Sequence, residues 1–194
     1  KNGVYINNFI LTNGSNKLAI NSEKNVSNSP INIEFDDFDL NALTSIVESD
    51  FEVGGKIDGT TKITNINTSP IFIADINIEN FAIKKDTVGN LNIKIDNKTA
   101  NIYNAAVKIS GLENSVFLDG NYQVGSSTFD LKLNIEKFQM KSIQAFTLGN
   151  LTNSTGFLNG KLDINGNTKQ PNINGFIKFN QVGFDVKTLN SKFK

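Results

Sequence analysis

The 194-residue sequence contains neither cysteine nor histidine. Without these residues, the chain has no disulfide, no thiolate nucleophile, no imidazole base and no ordinary zinc site. The acidic residues show no pair with the distinctive spacing of a glycoside hydrolase. We therefore expect no catalytic activity, no cofactor and no structural metal.

Arginine and tryptophan are also missing, and nineteen lysines balance nineteen acidic residues. A chain with zero net charge and no guanidinium group has no general electrostatic attraction to nucleic acid. No apolar run approaches the length of about 18 residues that a membrane helix needs. Because the chain begins with Lys1, we expect a piece of a longer protein, with any anchor or export signal upstream.

What the sequence does contain is apolar and polar residues in strict alternation. In "STFDLKLNIEKF", Phe129, Leu131 and Leu133 share one face, and lysine, asparagine and acids share the other. The same period of two recurs along the chain, and Asn, Gly, Ser and Asp separate the segments. This pattern predicts an all-β protein with an elongated, antiparallel-rich sheet that has one dry face.

Two segments break the alternation with apolar residues three and four apart. They predict short helices near residues 40–47 and 140–147. Each helix is followed by a strand of the form Gly-x-x-x-Gly and then by a proline strand, and the two copies lie 100 to 101 residues apart. We interpret residues 1–32 as leading strands, 33–133 as a first repeat unit, and 134–194 as a second, incomplete unit.

Glycines occupy the predicted dry face in both units. Glycine there removes side-chain volume and lets a sheet bend. Bulges in an ordinary sandwich would also use glycine, but recurrence in both units favours a curled sheet with an open apolar trough. The predicted sheet-bending residues are Gly55, Gly59, Gly156, Gly160, Gly166 and Gly175.

These motifs resemble the repeats of the TamB and AsmA-like superfamily, in the Asn- and Lys-rich form common in the Bacteroidota. The pattern is a short helix, Gly-x-(Leu/Ile)-x-Gly-x-(Leu/Thr)-x-Ile-x-Gly, then Pro-x-Ile-x-Gly-x-Ile and a closing "FDVKTLNSKF". Residues 134–194 carry the resemblance best. Residues 33–95 carry it with departures, such as Ala74 at the position of Gly175.

The resemblance implies a U-shaped sheet, often called a β-taco, with a hydrophobic groove. It implies a periplasmic segment of a protein that is anchored in the inner membrane of a Gram-negative bacterium through an N-terminal part outside this chain. Such proteins are associated with carrying phospholipid between the inner and outer membranes and with outer-membrane biogenesis. It also implies an outer-membrane partner of the Omp85 type, similar to TamA.

The dry face supplies the residues that would line such a groove. Exposing an acyl chain to water costs about 0.8 kcal/mol per CH₂ group, so a continuous apolar path would greatly lower the cost of transit. The predicted lining residues are Ile57, Ile63, Phe72, Ile76, Ile78, Leu91, Ile93, Ile95, Tyr103, Val107, Ile109, Val116, Leu118, Tyr122, Phe129, Leu131, Leu133, Leu158, Leu162, Ile164, Ile173, Ile177 and Phe179.

Other interpretations remain open at this point. A repetitive β-solenoid with a structural or adhesive role at the cell surface is the main alternative, because it also repeats and needs no active site. A transmembrane barrel also alternates, but the chain has only three tyrosines and no tryptophan for aromatic girdles. The acids Asp36, Asp37 and Asp39 lack the spacing of a calcium loop and are expected to be surface residues.

Overall fold

A computed structural model of the chain describes residues 3–44, 52–189 and 191–193. Within that part, 70% of the protein is strand, and twelve strands form one antiparallel sheet whose order follows the chain. The strands are β1 (Phe9–Asn13), β2 (Asn16–Ser22), β3 (Ile31–Asp39), β4 (Val53–Thr64), β5 (Ile71–Ile83), β6 (Asp86–Asp96), β7 (Ile102–Gly111), β8 (Asn114–Gln123), β9 (Thr128–Gln139), β10 (Leu151–Asn167), β11 (Gln170–Val186) and β12 (Ser191–Phe193).

The all-β, antiparallel fold class is therefore confirmed. Two short α-helices accompany the strands, α1 (Leu40–Thr44) and α2 (Met140–Phe146), followed by a 3₁₀ turn at Lys187–Leu189. The predicted helix near 140–147 agrees with α2. The one near 40–47 agrees with α1 as far as residue 44, and residues 45–47 lie outside the described part. None of the helices in the described residues could cross a membrane.

The predicted U-shaped curl is wrong, because the sheet is open and uncurled. β1 and β12 stand at opposite ends of the strand order and do not pair with each other. The glycines meet a local need instead. At Gly59, which has φ +138°, a Cβ atom would collide with the backbone oxygen of Asp75 on β5. A close approach between two neighbouring backbones explains that glycine without any curvature of the whole sheet.

The strand register repeats between the two halves. Phe35 pairs with Gly59, and the residue 100 positions after Phe35, Ile135, pairs with Gly160. Gly59 in turn pairs with Ile76, as Gly160 does with Ile177. The order strand, helix, strand, strand thus occurs in β3–α1–β4–β5 and again in β9–α2–β10–β11. β5 and β11 are equivalent strands, related by 101 residues.

Two clusters of buried side chains lie on this sheet. The first joins Leu18, Phe38, Ile57 and Ile78 from β2 to β5, with Leu40 of α1 packed against it. The second joins Ile83, Val88 and Ala145, and so fastens α2 to the ends of β5 and β6. Hydrophobic burial is therefore concentrated on β2–β6 and beneath α2.

In "VYINNFILTN", the apolar residues Val4, Ile6 and Ile10 alternate in opposite phase to Tyr5, Phe9 and Leu11, so the sequence does not say which set faces the core. β1 begins only at Phe9, and Phe9 and Leu11 pair with Ile20 and Leu18 of β2. These two β1 residues therefore share the face of the first cluster, although every residue of β1 is exposed.

Candidate functional site

The candidate site is one face of the sheet, which we call the apolar face. On it, cross-strand partners line up as rows that run from strand to strand at right angles to the chain. One row consists of Leu18, Phe35, Gly59, Ile76, Ile93, Val107, Leu118, Leu133, Leu162 and Gly175. The next consists of Ile20, Ile33, Thr61, Ala74, Ile95, Ala105, Gly120, Leu131, Ile164 and Ile173.

Further rows flank these two. On one side lie Phe38, Ile57, Ile78, Leu91, Ile109, Val116, Ile135, Gly160 and Ile177, and beyond them Phe138, Leu158 and Phe179. On the other side lie Ile31, Ile63 and Phe72, then Tyr103, Tyr122, Phe129, Gly166 and Pro171. The rings of Phe72 and Tyr103, 5.5 Å apart between centroids, join the two parts of this last row. All the predicted lining residues fall in these rows, and the rows contain no charged residue.

The dimensions of the apolar face follow from sheet geometry. Rows that cross the ten strands from β2 to β11 extend roughly 45 Å at about 4.8 Å per strand. Along the strands, the four main rows span about 20 Å, since two residues rise about 6.8 Å. Half of a bilayer's ~30 Å hydrocarbon core is about 15 Å. An acyl chain laid parallel to the strands would therefore fit within the rows.

The opposite face of the sheet is polar. Lys94 forms an ion pair with Asp75 across β5 and β6 at 3.0 Å, and the Asn92 amide donates to Asn77 at 2.8 Å beside it. Such exposed pairs contribute little stability. They keep most of this face in water, although Ile73, Phe117 and Phe176 are exposed apolar side chains on it.

The exposure of side chains on the apolar face differs from strand to strand. Ile57, Ile78 and Val116 are buried, and most other lining residues are half-buried. On β11 the side chains become exposed: Ile177 is 39% and Phe179 67% accessible. The structure thus places the predicted lining residues on one face but divides them between a packed region and an open one.

The predicted sheet-bending glycines lie on β4, β10 and β11. Gly175, with φ +132°, resembles Gly59 in that a Cβ atom would collide with the backbone oxygen of Lys161 on the neighbouring strand. Both glycines therefore allow adjacent strands to approach closely. A role of the glycines in bending the sheet stays a prediction.

A buried polar contact was missed by the sequence analysis. The amide of Asn114, at the start of β8, donates to the Val88 carbonyl at 2.7 Å and to the Ser142 hydroxyl of α2 at 2.8 Å. Its oxygen accepts the backbone N–H of Gln139 at 2.8 Å. Asn114 therefore ties β6, β8, β9 and α2 together. In an asparagine-rich sequence its position just after a turn gave no signal that it would be buried.

A concavity lies at the sheet end near α2 rather than on the apolar face. Charged side chains rim it, including Lys85, Asp86, Glu113 and Lys141. The ammonium group of Lys137 donates a hydrogen bond to Glu113 at 2.5 Å and so lowers the pKa of that exposed carboxyl. A concavity with such a rim offers no continuous surface for hydrocarbon.

The acids of the calcium alternative have local protein partners. Asp37 lies 3.7 Å from the Lys56 ammonium group, and the Asp39 carboxylate accepts the backbone N–H of Asn41 at 2.9 Å. No group of acidic side chains suited to a metal ion occurs in the part of the chain that the structure describes.

Comparison with protein families gives a match to part of the chain. Residues 104–192 match the family model of the TamB C-terminal domain. The match confirms the resemblance over β8–β11 and most of β7. Neither the curated proteins nor the solved structures gave a match.

Proposed function

We propose that this chain, whose residues 104–192 carry the TamB C-terminal domain, is a segment of a periplasmic bridge for phospholipid. In this proposal the acyl chains travel along the apolar face, from row to row, while the headgroup stays in water. The bridge leads from the inner to the outer membrane and supports outer-membrane biogenesis.

The observation that carries the proposal is the uninterrupted, uncharged character of the rows. Two of the rows cross ten strands, and aliphatic, aromatic and glycine residues fill nearly every position in them. The open region on β11, with Ile177 and Phe179, supplies accessible apolar surface. Surface of this kind is a mark of binding sites for apolar ligands or partners.

The physical chemistry of lipid transfer explains why little else is needed. Each CH₂ group removed from water contributes about 0.8 kcal/mol, so a tail of many such groups strongly favours an apolar surface. A surface without deep polar anchors binds hydrocarbon without fixing it at one position. Rows of Leu, Ile, Val and Phe provide such a surface, and the polar face keeps the sheet solvated.

The arrangement of strands disfavours the β-solenoid alternative. A parallel β-helix pairs strands of successive coils in parallel. Here every neighbouring pair in the described sheet is antiparallel and consecutive in the chain. The repeat is therefore one of strands within a sheet rather than one of coils.

The rest of the proposal follows the family rather than the geometry. We propose an anchor in the inner membrane outside this chain and an Omp85-type partner, similar to TamA, in the outer membrane. We also propose a non-enzymatic role with no cofactor, because transfer along a surface requires no bond to be broken.

The test places a charge on the apolar face. Leu162→Lys and Ile177→Asp each insert a charge where hydrocarbon would pass, which raises a barrier of several kcal/mol. The assay measures transfer of fluorescent phosphatidylethanolamine from donor to acceptor vesicles of phosphatidylethanolamine and phosphatidylglycerol. Both variants should fold and should lose most of the transfer.

The matched control is Lys178→Asp, which changes charge next to Ile177 but on the polar face. This variant should transfer lipid like the parent. Transfer that is absent in the parent, or unaffected by Leu162→Lys and Ile177→Asp, would contradict the proposal. Unfolding of the Ile177→Asp variant would show that its side chain belongs to a packed core.

A further inference from the structure

The polar face of the sheet carries phenylalanine side chains in its second half. Phe117 on β8 is 42% exposed there and Phe176 on β11 is 49% exposed, while Phe157 on β10 is half-buried. Each occupies a position where strict alternation would place a polar residue. β8 is paired with a strand on each side, so the exposure of Phe117 does not arise at a sheet edge. Folding of the sheet does not require these rings, because the apolar face already supplies its dry side.

The equivalent positions of the first half carry charges that are paired. Phe176 lies 101 residues after Asp75, and Phe157 lies 101 residues after Lys56. Both of these charged residues form ion pairs. At Phe176 the second half has a lysine–ring contact instead, with the Lys178 ammonium 5.4 Å from the ring centroid. An ion pair cancels its own charge, whereas a lysine against a ring keeps its charge available for a ligand.

Rings and lysines of the second half lie in one row across the strands. From β7 to β11, the register places in this row Lys108, Phe117, Asn134, Lys161 and Phe176. At about 4.8 Å per strand, the row is roughly 19 Å long. Two concavities of about 470 and 240 Å³ lie along it and share Asn134. The row is therefore a shallow groove in the order lysine, ring, amide, lysine, ring, which we call the lysine–ring groove.

The lysine–ring groove is basic. Lys108, Lys161 and Lys178 form no ion pair within the residues that the structure describes. Glu136 lines both concavities, and its carboxylate accepts the Ser115 hydroxyl at 2.6 Å. Three lysines against this one acid leave positive charge in the groove, which favours an anionic ligand.

Acids border the groove on one side. In the neighbouring row, Lys132 of β9 lies between Asp119 of β8 and Asp163 of β10. An anionic ligand is repelled by these carboxylates and is therefore directed along the groove. On the other side, the Ser115 hydroxyl and the Asn159 amide can form hydrogen bonds with neutral polar groups of a ligand.

We infer that the lysine–ring groove binds an acidic polysaccharide that lies across the strands. The face of a sugar ring presents C–H groups, which pack on the electron-rich faces of Phe117 and Phe176. Carboxylates of the polysaccharide approach the lysines, and its hydroxyl groups form hydrogen bonds with the amide and hydroxyl side chains. Nucleic acid fits less well, because the chain has no arginine for bidentate contacts to phosphate. The inference stands independently of lipid transfer on the apolar face.

The experiment uses the 194-residue chain and fluorescently labelled hexagalacturonate, which has one carboxylate per sugar ring. Fluorescence anisotropy at low ionic strength should show saturable binding that weakens as salt is added. Two matched ligands separate charge from stacking. The methyl ester of the hexamer keeps the rings without the charge, and hexaglutamate keeps the charge without the rings. Each should bind at least about two- to fivefold more weakly than hexagalacturonate.

Variants of the chain locate the site. Phe117→Ala and Lys161→Gln change exposed side chains, so both proteins should fold, and each should bind hexagalacturonate about two- to fivefold more weakly than the parent. Lys62→Gln changes a lysine on the polar face of β4, and Phe179→Ala removes an exposed ring from the apolar face. These two control variants should bind like the parent. Circular dichroism checks the fold of all four.

Several outcomes would overturn the inference. The first is a lack of saturable binding of hexagalacturonate, or binding that Phe117→Ala leaves unchanged. The second is equal or tighter binding of hexaglutamate, which would indicate a surface for acidic peptide. The third is tighter binding of a single-stranded hexanucleotide. A loss of binding in Phe179→Ala would place the oligosaccharide on the apolar face and would likewise contradict the assignment.

Discussion

β5 and β11 occupy equivalent places in the two halves of the protein, yet their environments differ. Ile78 on β5 is 6% exposed, and its equivalent on β11, Phe179, is 67% exposed. Both strands alternate in the same way, and both pair with the preceding glycine strand in the same register. What differs is the far side, where β6 covers β5 along its length and β12 covers only the end of β11.

The comparison shows that burial on this sheet depends on lateral neighbours. A row residue with a strand on each side is shielded by the side chains of both. A row residue at the edge loses half of that shield. The same sequence pattern can therefore yield a core residue or an exposed one, and the apolar face is packed on β2–β6 and open on β11.

The largest expected effect comes from charging the two equivalent positions. Ile78→Asp places a carboxylate among Leu18, Phe38 and Ile57 without a partner, and we expect a loss of about 4–5 kcal/mol in the free energy of unfolding. Phe179→Asp changes an exposed residue, and we expect a change within about 0.5 kcal/mol. Urea denaturation followed by circular dichroism measures both. Equal effects would refute the division into a packed and an open region.

A smaller difference in stability is expected between alanine substitutions at two equivalent glycines, Gly59 and Gly160. A Cβ atom at Gly59 would collide with the Asp75 carbonyl, and at Gly160 with the Phe176 carbonyl. β5 is held between two strands, whereas β11 can move outward at its free edge. Gly59 alone of the pair has a left-handed φ, +138°.

We therefore expect Gly59→Ala to lower the free energy of unfolding by about 2–3 kcal/mol and Gly160→Ala to lower it distinctly less. Thermal unfolding of both variants gives the comparison, with Gly125→Ala as the control because a Cβ atom there meets nothing within 4 Å. A Gly160→Ala variant less stable than Gly59→Ala would show that the edge of β11 is held as firmly as β5.

The link between the two halves should have an intermediate effect. Asn114 joins Val88 of β6, in the first half, to Ser142 of α2, in the second. Asn114→Ala leaves the Val88 carbonyl, the Ser142 hydroxyl and the Gln139 N–H without this partner. We expect a loss of about 1–3 kcal/mol in the free energy of unfolding. The matched control is Asn172→Ala, which removes an exposed amide contact to Asn165 and should cost almost nothing. Hydrogen exchange should show faster opening of α2 in the Asn114 variant alone.

The smallest expected effect concerns the end of β6, the strand that covers β5. Hydrogen bonds from the Lys98 backbone N–H and the Asn104 amide lower the pKa of Asp96 below its ordinary value. Because the folded state favours the carboxylate, this contribution is complete above an unfolded pKa of about 3.9 and is lost as the pH falls through the folded pKa.

The measurement compares the urea midpoints of the parent and of Asp96→Asn as a function of pH. Their difference should be constant near neutral pH and should shrink below about pH 4. Glu23 and Glu113, whose pKa values are lowered by Lys62 and Lys137, titrate alike in both proteins and cancel in the difference. A difference that grows at low pH would contradict the assigned direction.

The sequence predicted the strands well because alternation is a local signal. Phe129, Leu131 and Leu133 lie on one face as their period of two requires, and α2 lies where the spacing of Met140 and Ile143 predicts it. The 101-residue repeat of Gly59 and Gly160 agrees with the strand registers, since each glycine pairs with an equivalent isoleucine on the next strand.

Properties that depend on the whole sheet could not be predicted in this way. The curl was expected from glycines such as Gly59, whose structural role is a close approach to one neighbour. The burial of Ile78 and the exposure of Phe179 depend on the presence of a third strand, which no local pattern reports. Burial of Asn114 depends on α2 folding back onto β6. The contacts of Asn114 with Val88 and Ser142 join residues 26 and 28 positions apart.

Site-specific photocrosslinking tests the central claim most directly. A photoreactive amino acid is placed in turn at Ile177 and Phe179 on the apolar face and at Lys178 between them on the polar face, and the chain is irradiated with phospholipid vesicles. The account predicts lipid adducts at positions 177 and 179 and none at 178. Adducts of equal yield at all three positions, or none at 177 and 179 while the protein remains folded, would contradict a path for phospholipid along this face.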